Sequence, residues 1–279
     1  MLALAASLAS QNLGAAIAKS LFPVVGVEGM TALRIGLSAL MLLAFWRPWR
    51  APLARRDLPN VAIYGAVLGS MNLCIYEAFG RIPIGIATAI ETIGPLAVVL
   101  AASRRPLDVA WVVLALVGLA LLLPLGTDRP VDPVGLLFPS GPAASWALYI
   151  VFGKRVSMLA RGQAVSLGML AAALLTVPLG VARSGPAMLV PSTLLAGLGV
   201  AVLSSAVPYS LEMAALRRLP RQVFGILVSA TPAFGAACGA LVLGERLSAL
   251  QWVAIACIIG ASAGGAASAR EDRPPVVEQ

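Results

Sequence analysis

Long apolar stretches follow one another along nearly the whole chain, with only short loops between them. About ten are long enough to cross the hydrocarbon core of a bilayer, which is roughly 30 Å thick and takes about 20 helical residues. Because only helices and closed barrels satisfy every backbone polar group there, runs of this length predict helices. The sequence therefore predicts an all-α, polytopic membrane protein with ten transmembrane helices. The predicted spans are residues 2–22, 29–46, 58–79, 83–102, 109–125, 134–152, 163–182, 189–211, 224–243 and 247–267.

The low charge content excludes an ordinary water-soluble protein. Only 11% of the residues are charged and 59% are hydrophobic, whereas a soluble domain has about 25% charged residues. The chain has no histidine, and its cysteines, Cys74, Cys238 and Cys257, lie far apart. Zinc sites, Ser-His catalysis and paired-cysteine redox chemistry therefore lack their usual residues. We predict that the protein is not an enzyme and holds no metal or cofactor.

The positive charges predict the orientation in the membrane. Of the 20 Lys and Arg residues, 14 lie in the carboxyl-terminal tail or in loops predicted on the side of the amino terminus. The opposite loops hold only Arg81, Arg129, Arg183 and Arg246. By the positive-inside rule both termini are cytoplasmic. Orientation thus explains the net charge of +8, and no nucleic-acid partner is predicted.

The first apolar stretch is interpreted as a transmembrane helix, since it lacks a preceding basic region and nine more stretches follow it.

An internal repeat relates two halves of the chain. Arg-Ile-Pro at 81–83 matches Arg-Leu-Pro at 218–220 at an offset of 137, and Lys19 matches Lys154 at 135. The offset reaches 141 where Trp111 aligns with Trp252. This steady rise predicts two five-helix halves, 1–133 and 134–268, and a cytoplasmic tail, 269–279. Because five is odd, the second half is inverted, as in many secondary transporters with a site near the membrane midplane.

Two such halves, with Trp146 in the sixth helix and Pro95 and Pro232 in the fourth and ninth, resemble the drug/metabolite transporter superfamily in its ten-helix EamA type. The resemblance is closer still to EamA-type exporters of threonine and homoserine. It implies a bacterial inner-membrane location and export of small neutral amino acids. Such exporters have a few more residues before their first helix, so the true start of this chain stays open. The motifs are Ala-Lys-Ser-Leu-Phe-Pro (18–23), Thr-Ala-Leu-Arg (31–34), Gly-Pro-Leu-Ala-Val (94–98), Ser-Arg-Arg-Pro (103–106), Leu-Pro-Leu-Gly (123–126) and Pro-Tyr-Ser-Leu-Glu-Met (208–213).

Three acidic residues, Glu77, Glu91 and Glu212, fall within predicted spans. An ionisable group near the bilayer centre costs about 2.5–3.5 kcal/mol on insertion scales, so each needs a partner or a role. For Glu91 and Glu212 we favour binding of the substrate's ammonium or exchange of a proton. The alternative is that they only neutralise a buried cation. Glu77 precedes Arg81 by four residues, which predicts an interfacial ion pair.

Other polar residues are candidates for the same cavity. Arg34 lies five residues into its predicted span, where it either binds a carboxylate or extends to the interface. Lys19 is nearer the interface, and a structural role is favoured over one in admitting an anionic group. The candidates for lining a cavity that takes a small zwitterion are Gln11, Asn12, Asn72, Tyr76, Trp146, Tyr149 and Tyr209. Breaks at matching positions of the two halves indicate moving helices, and the hinge candidates are Gly94, Pro95, Pro208 and Pro232.

The predicted function is secondary transport by alternating access. The expected partners are a small-molecule substrate, an amino acid or related metabolite, together with protons and the lipid bilayer. The chain has no GxxxxGK[ST] loop, so proton exchange rather than ATP is expected to drive export. Two alternatives stay open: an exporter of other small metabolites on the same fold, and a non-transporting membrane scaffold or lipid-handling protein. A scaffold would not need Glu91 or Glu212. The sequence indicates no oligomeric state.

Overall fold

The computed structural model describes residues 2–92, 106–122, 133–160, 162–219, 224, 227–228, 230–244 and 248–271. Every regular element among these residues is helical, which confirms the predicted all-α class. The α-helices are α1 Leu2–Ser20, α2 Phe22–Val25, α3 Val27–Trp46, α4 Leu58–Arg81, α5 Ile84–Glu91, α6 Pro106–Leu122, α7 Pro133–Leu137, α8 Ser140–Val156, α9 Gln163–Ser184, α10 Pro191–Ala201, α11 Val207–Arg218, α12 Thr231–Leu243 and α13 Ala249–Glu271. A π-helical turn, Val202–Ala206, joins α10 to α11 without a break.

Four helical stretches are long and apolar enough to cross a membrane. They are Val27–Arg50, Arg55–Arg81, Gln163–Leu189 and Pro191–Arg218. Shorter apolar helices within the described residues, Val109–Leu121, Thr231–Leu243 and Trp252–Ala261, coincide with the predicted fifth, ninth and tenth spans. The predicted fourth, fifth, ninth and tenth spans include residues outside the described ranges. Helix α13 continues to Glu271, past the predicted start of the tail at residue 269.

Proline and glycine set many helix ends. Pro59, Pro191 and Pro232 lie in the first turns of α4, α10 and α12, where the missing N–H breaks no helical hydrogen bond. Gly185 follows α9 with φ 51° and Gly244 follows α12 with φ 67°, a backbone region that side-chain-bearing residues rarely adopt. These residues divide a mostly apolar chain into helices of defined length.

Helices from opposite halves of the sequence pack against one another. Helices of the first half contact helices of the second half in many pairs, so helices of both halves enclose the space between them. The main packed pairs are α3 with α9, α4 with α8 and α9, α1 with α11 and α12, α3 with α10, α5 with α8 and α12, and α6 with α13.

Close contact between α4 and α9 depends on Gly65. A Cβ added there would lie 2.3 Å from the Ala171 Cβ and 2.7 Å from the Gly168 carbonyl oxygen. We expect Gly65→Val to force the two helices apart and to destabilise the fold by about 3 kcal/mol, the upper end for overpacking. The measurement is thermal unfolding of the purified protein in detergent. Gly199→Val is the matched control, since no atom lies within 4 Å of the added Cβ; equal unfolding temperatures for the two variants would contradict this account of the packing.

Candidate functional site

A narrow polar cavity lies between α1, α3, α4, α5, α8 and α12. Its free space is about 30 Å³, enough for one or two water molecules but not for an amino acid. A substrate therefore fits only when the surrounding helices or side chains move apart. Of the sequence-predicted candidates, those lining the cavity are Gln11, Asn12, Arg34, Asn72, Tyr76, Glu91 and Trp146.

Arg34, on α3, brings a buried positive charge to this cavity. Its Nη1 donates a hydrogen bond to the Tyr76 hydroxyl at 2.8 Å, and its Cζ lies 4.2 Å from the centre of the Tyr76 ring. The side chain is 2% exposed, yet Nε and Nη2 find no partner among the described residues. Leaving a buried donor unpaired costs about 1–3 kcal/mol. Nε and Nη2 form one edge of the guanidinium, and such an edge binds a carboxylate through two parallel hydrogen bonds.

Glu91, the last residue of α5, brings a carboxyl group to the same cavity. Its Oε1 accepts a hydrogen bond from the Trp146 Nε1 at 2.5 Å. It forms no ion pair with Arg34, although both side chains line the same cavity. Within the described residues, the ion pairs are Glu77–Arg81 at 3.4 Å, which confirms that prediction, and Glu28–Arg183 at 3.9 Å.

Most other polar side chains around the cavity are already hydrogen-bonded. Three of them donate to backbone carbonyls of their own helix or of the turn before it: Asn12 to Leu8, Thr88 to Ile84 and Thr231 to Val228. Asn72 donates to the Leu68 carbonyl and to the Tyr209 hydroxyl. Gln11 differs, because its buried Oε1 has no partner among the described residues.

Glu212, on α11, lies in a separate buried cluster and does not line the cavity. Its Oε2 accepts from the Tyr149 hydroxyl at 2.9 Å, and its Oε1 accepts from the Ser7 hydroxyl at 3.3 Å. Tyr149 and Tyr209 lie in the same cluster, with ring centres 6.3 Å apart. The hydrogen bond between Tyr209 and Asn72 joins the cluster to the cavity. Apart from Lys19, the predicted substrate and coupling candidates thus occupy two adjacent sites rather than one.

The π-helical turn lies beside Pro208, one of the hinge candidates. The Ser10 hydroxyl of α1 donates to the Leu203 carbonyl at 2.7 Å. The Ser7 hydroxyl lies 3.0 Å from the Pro208 carbonyl oxygen and shares its single hydrogen between this oxygen and Glu212. Helix α1 therefore contacts carbonyls within and just after the π-helical turn. Pro232 lies in the first turn of α12, where no helical hydrogen bond is lost. Gly94 and Pro95 lie outside the described residues.

Two lysines occupy helix ends instead of the cavity. Lys19, at the end of α1, donates to the Ile82 carbonyl just after α4 at 3.0 Å. Lys154, near the end of α8, donates to the Leu219 carbonyl just after α11 at 3.2 Å. Cations stabilise helix carboxyl termini because they pair with the last carbonyls and oppose the helix dipole. Lys19 thus has a structural contact.

Ser7 is not singled out by the sequence as a functional residue. It precedes Gln11 by four residues, so both lie on one face of α1. That spacing was the available signal, but a serine inside an apolar helix carries little weight because its hydroxyl readily bonds to its own helix. Only the fold shows that this hydroxyl reaches Glu212.

The sequence is similar to known membrane transporters. The sequence profile of the EamA-like transporter family matches residues 133–264. The threonine/homoserine exporter RhtA of Salmonella typhimurium (strain SL1344) is 46% identical over 280 residues, covering 100% of this chain and 94% of the relative. RhtA of Escherichia coli (strain K12) is 46% identical over 267 residues, covering 95% and 90%. The uncharacterized transporter YwfM of Bacillus subtilis (strain 168) is 27% identical over 241 residues, covering 83% and 80%.

The fold is also similar to that of a solved structure. A protein crystal structure matches with a TM-score of 0.75 at 21% identity, covering 98% of this chain and 99% of the other. At this identity the likeness concerns the fold alone.

Proposed function

Because this chain belongs to the EamA-like transporter family, we propose that it is a bacterial inner-membrane exporter of small neutral amino acids such as threonine and homoserine. It is a multi-pass membrane transporter and not an enzyme. The substrate proposal is supported by relatives named as threonine/homoserine exporters, which match the chain along nearly its whole length.

One observation carries the proposal: Arg34 and Glu91 line one cavity without pairing with each other. A buried cation and a buried carboxylate normally pair when they can, since each alone is costly in a membrane. The α-amino acids carry a carboxylate and an ammonium group on the same carbon atom. In this proposal the free edge of Arg34 binds the carboxylate and Glu91 binds the ammonium, so that substrate binding neutralises both side chains.

Alternating access of two inverted five-helix halves, 1–133 and 134–268, is part of the proposal, with 269–279 as a cytoplasmic tail. This is supported by the packing of the helices: when each helix is replaced by its counterpart in the other half, packed pairs correspond to packed pairs. Under the exchange α1 takes the place of α8, α3 of α9, α4 of α10–α11, α5 of α12 and α6 of α13. Contact of α4 with α8 then becomes contact of α10–α11 with α1, and α4 with α9 becomes α10 with α3.

Individual residues support the same relationship. Lys19 and Lys154, which are 135 residues apart, stabilise the ends of corresponding helices through the carbonyls of Ile82 and Leu219, which are 137 residues apart. Asn72 and Tyr209 are also 137 residues apart and hydrogen-bond to each other. Equivalent positions of two repeats meet only where the symmetry axis passes, so this pair marks a proposed axis beside the cavity. Both termini are proposed to face the cytoplasm, from the distribution of positive charge.

Export in exchange for protons is proposed to depend on Glu212. The side chain is fully buried and is bonded only to hydroxyl groups among the described residues. A hydroxyl can donate to an ionised carboxylate or accept from a protonated one, so the cluster suits both states. Because Glu212 does not line the cavity, it can change its charge without leaving the substrate unpaired.

We expect Glu212→Gln to uncouple export from the pH gradient. In proteoliposomes loaded with labelled threonine, a gradient should accelerate wild-type efflux about tenfold and leave efflux by the variant unchanged, while exchange of threonine for threonine persists. Glu77→Gln is the control, since Glu77 forms a partly exposed ion pair with Arg81, and it should respond to the gradient as the wild type does. A gradient response retained by Glu212→Gln would place the proton elsewhere.

The transport proposal itself is tested by efflux from proteoliposomes with a panel of labelled solutes. Threonine and homoserine are expected to leave faster than through protein-free vesicles, and acidic and basic amino acids are not. If other small metabolites leave instead, the chain is an exporter of a different substrate class. If no solute leaves, the scaffold or lipid-handling alternative is favoured.

A further inference from the structure

One residue that lines the same cavity has a buried polar atom that the zwitterion does not use. The Oε1 of Gln11 is buried and has no hydrogen-bond partner among the described residues, and Gln11 lines the cavity together with Arg34 and Glu91. An amide oxygen only accepts hydrogen bonds. Carboxylate and ammonium groups are already matched by Arg34 and Glu91, so Gln11 offers a third contact of different chemistry.

We propose that Gln11 selects for amino acids whose side chain carries a hydroxyl group, by accepting a hydrogen bond from that hydroxyl. This inference rests on the proposed function, since it concerns how the same cavity chooses its substrate. Threonine and homoserine share a hydroxyl as the only polar group of their side chains. The hydroxyl is on Cβ in threonine and on Cγ in homoserine. A glutamine side chain can reach both positions because it has three rotatable bonds.

The other polar side chains are less suited to this role. Asn12, Thr88 and Thr231 are oriented by hydrogen bonds to backbone carbonyls, and among the described residues none of them has a buried oxygen without a partner, as Gln11 has. The Asn72 amide already bonds to the Tyr209 hydroxyl: its Nδ2 can donate to that hydroxyl, and its Oδ1 can accept from it. Apolar side chains, Ala15, Met71, Ile75 and Phe79, form much of the remaining wall, which suits the carbon atoms of a small side chain.

The repeat gives a further reason. Gln11 and Trp146 are 135 residues apart, the offset that relates Lys19 to Lys154, and both line the cavity. Trp146 uses its Nε1 to hold Glu91. The Oε1 of its counterpart Gln11 has no partner within the described part of the chain. The two equivalent positions therefore have different tasks in this proposal: one orients the Glu91 carboxyl group and the other binds the ligand.

Discrimination is measured by competition between isosteric pairs. In valine a methyl group replaces the hydroxyl of threonine, and norvaline bears the same relation to homoserine. A site that is built to bond a hydroxyl loses that bond with the methyl compound and leaves the acceptor buried and unpaired. Wild-type protein is therefore expected to export threonine at least about tenfold better than valine, which corresponds to one lost hydrogen bond.

Gln11→Met removes the acceptor at similar length. We expect its threonine-to-valine efflux ratio to fall about tenfold, chiefly through better export of valine, and its homoserine-to-norvaline ratio to fall likewise. Gln163→Met is the matched control, because Gln163 bonds to the Pro48 and Ala51 carbonyls away from the cavity. It should leave both ratios unchanged.

The outcomes separate this inference from the transport proposal. Unchanged ratios in a folded Gln11→Met protein that still exports threonine would overturn the role of Gln11 and leave amino-acid export standing; Gln11 Oε1 would then bind water only. Should the variant not fold, the wild type alone decides, since equal inhibition of threonine efflux by valine and by unlabelled threonine overturns the inference. Absence of amino-acid efflux from the wild type would overturn the transport proposal itself.

Discussion

Replacing Arg34 by methionine is expected to lower threonine efflux at least about 100-fold without destabilising the protein. A charged group that has lost its buried partner costs about 2–5 kcal/mol, and about 2.7 kcal/mol corresponds to 100-fold. Methionine fills similar space but cannot bind a carboxylate. In the absence of substrate it removes two unpaired buried donors but also the hydrogen bond to the Tyr76 hydroxyl. These two effects oppose each other, so the unfolding temperature in detergent should stay close to that of the wild type. Efflux from proteoliposomes and thermal unfolding measure the two effects.

Loss of transport with retained stability distinguishes a binding role from a structural one. A structural arginine would lower both quantities together when replaced. Arg81→Met provides the control, since Arg81 is partly exposed and pairs with Glu77 at the end of α4; surface pairs contribute about 0–1 kcal/mol, so efflux should change less than about threefold. An Arg34→Met protein that exports threonine at the wild-type rate would contradict the assignment.

Glu91→Gln is expected to reduce both gradient-driven efflux and threonine exchange, each about 100-fold. Glutamine has nearly the same shape, and its amide oxygen can still accept the Trp146 Nε1–H. The change therefore removes the charge that pairs with the substrate ammonium and little else, an effect of the same size as loss of the Arg34 contact. Both assays use proteoliposomes, with and without a pH gradient.

The exchange assay separates the two carboxylates. Glu212→Gln should retain exchange because Glu212 does not line the cavity, whereas Glu91→Gln should lose it. If Glu91→Gln lost only the response to the pH gradient and kept exchange, Glu91 would carry the proton and not the substrate.

Much of the site could be predicted from the sequence because the bilayer makes polar groups expensive. That cost alone singles out Arg34 and Glu91, and both line the cavity. The place of Lys19 near the end of its helix predicts a structural role, and Lys19 donates to the Ile82 carbonyl there. The spacing of Glu77 and Arg81 is sufficient to predict their ion pair, since neighbours four residues apart meet on any α-helix.

The division into two sites could not be predicted, because it depends on tertiary structure. A spacing of four predicts that Ser204, Pro208 and Glu212 share one helix face. These residues do face α1 together, but a shared face does not show that Glu212 lies outside the cavity that Arg34 and Glu91 line. Trp146 and Glu91 are 55 residues apart, and no local pattern brings such residues together.

The most direct test of the account is equilibrium binding of threonine and threoninamide to detergent-purified protein, measured by titration calorimetry. Threoninamide keeps the ammonium and the hydroxyl but lacks the carboxylate. The account predicts that the wild type binds threonine at least about 30-fold more tightly than threoninamide, roughly the 2 kcal/mol minimum for a lost buried charge contact. Arg34→Met should bind both equally weakly. If Arg34→Met still prefers threonine to the wild-type extent, the carboxylate is bound elsewhere and the proposed role of the cavity is wrong.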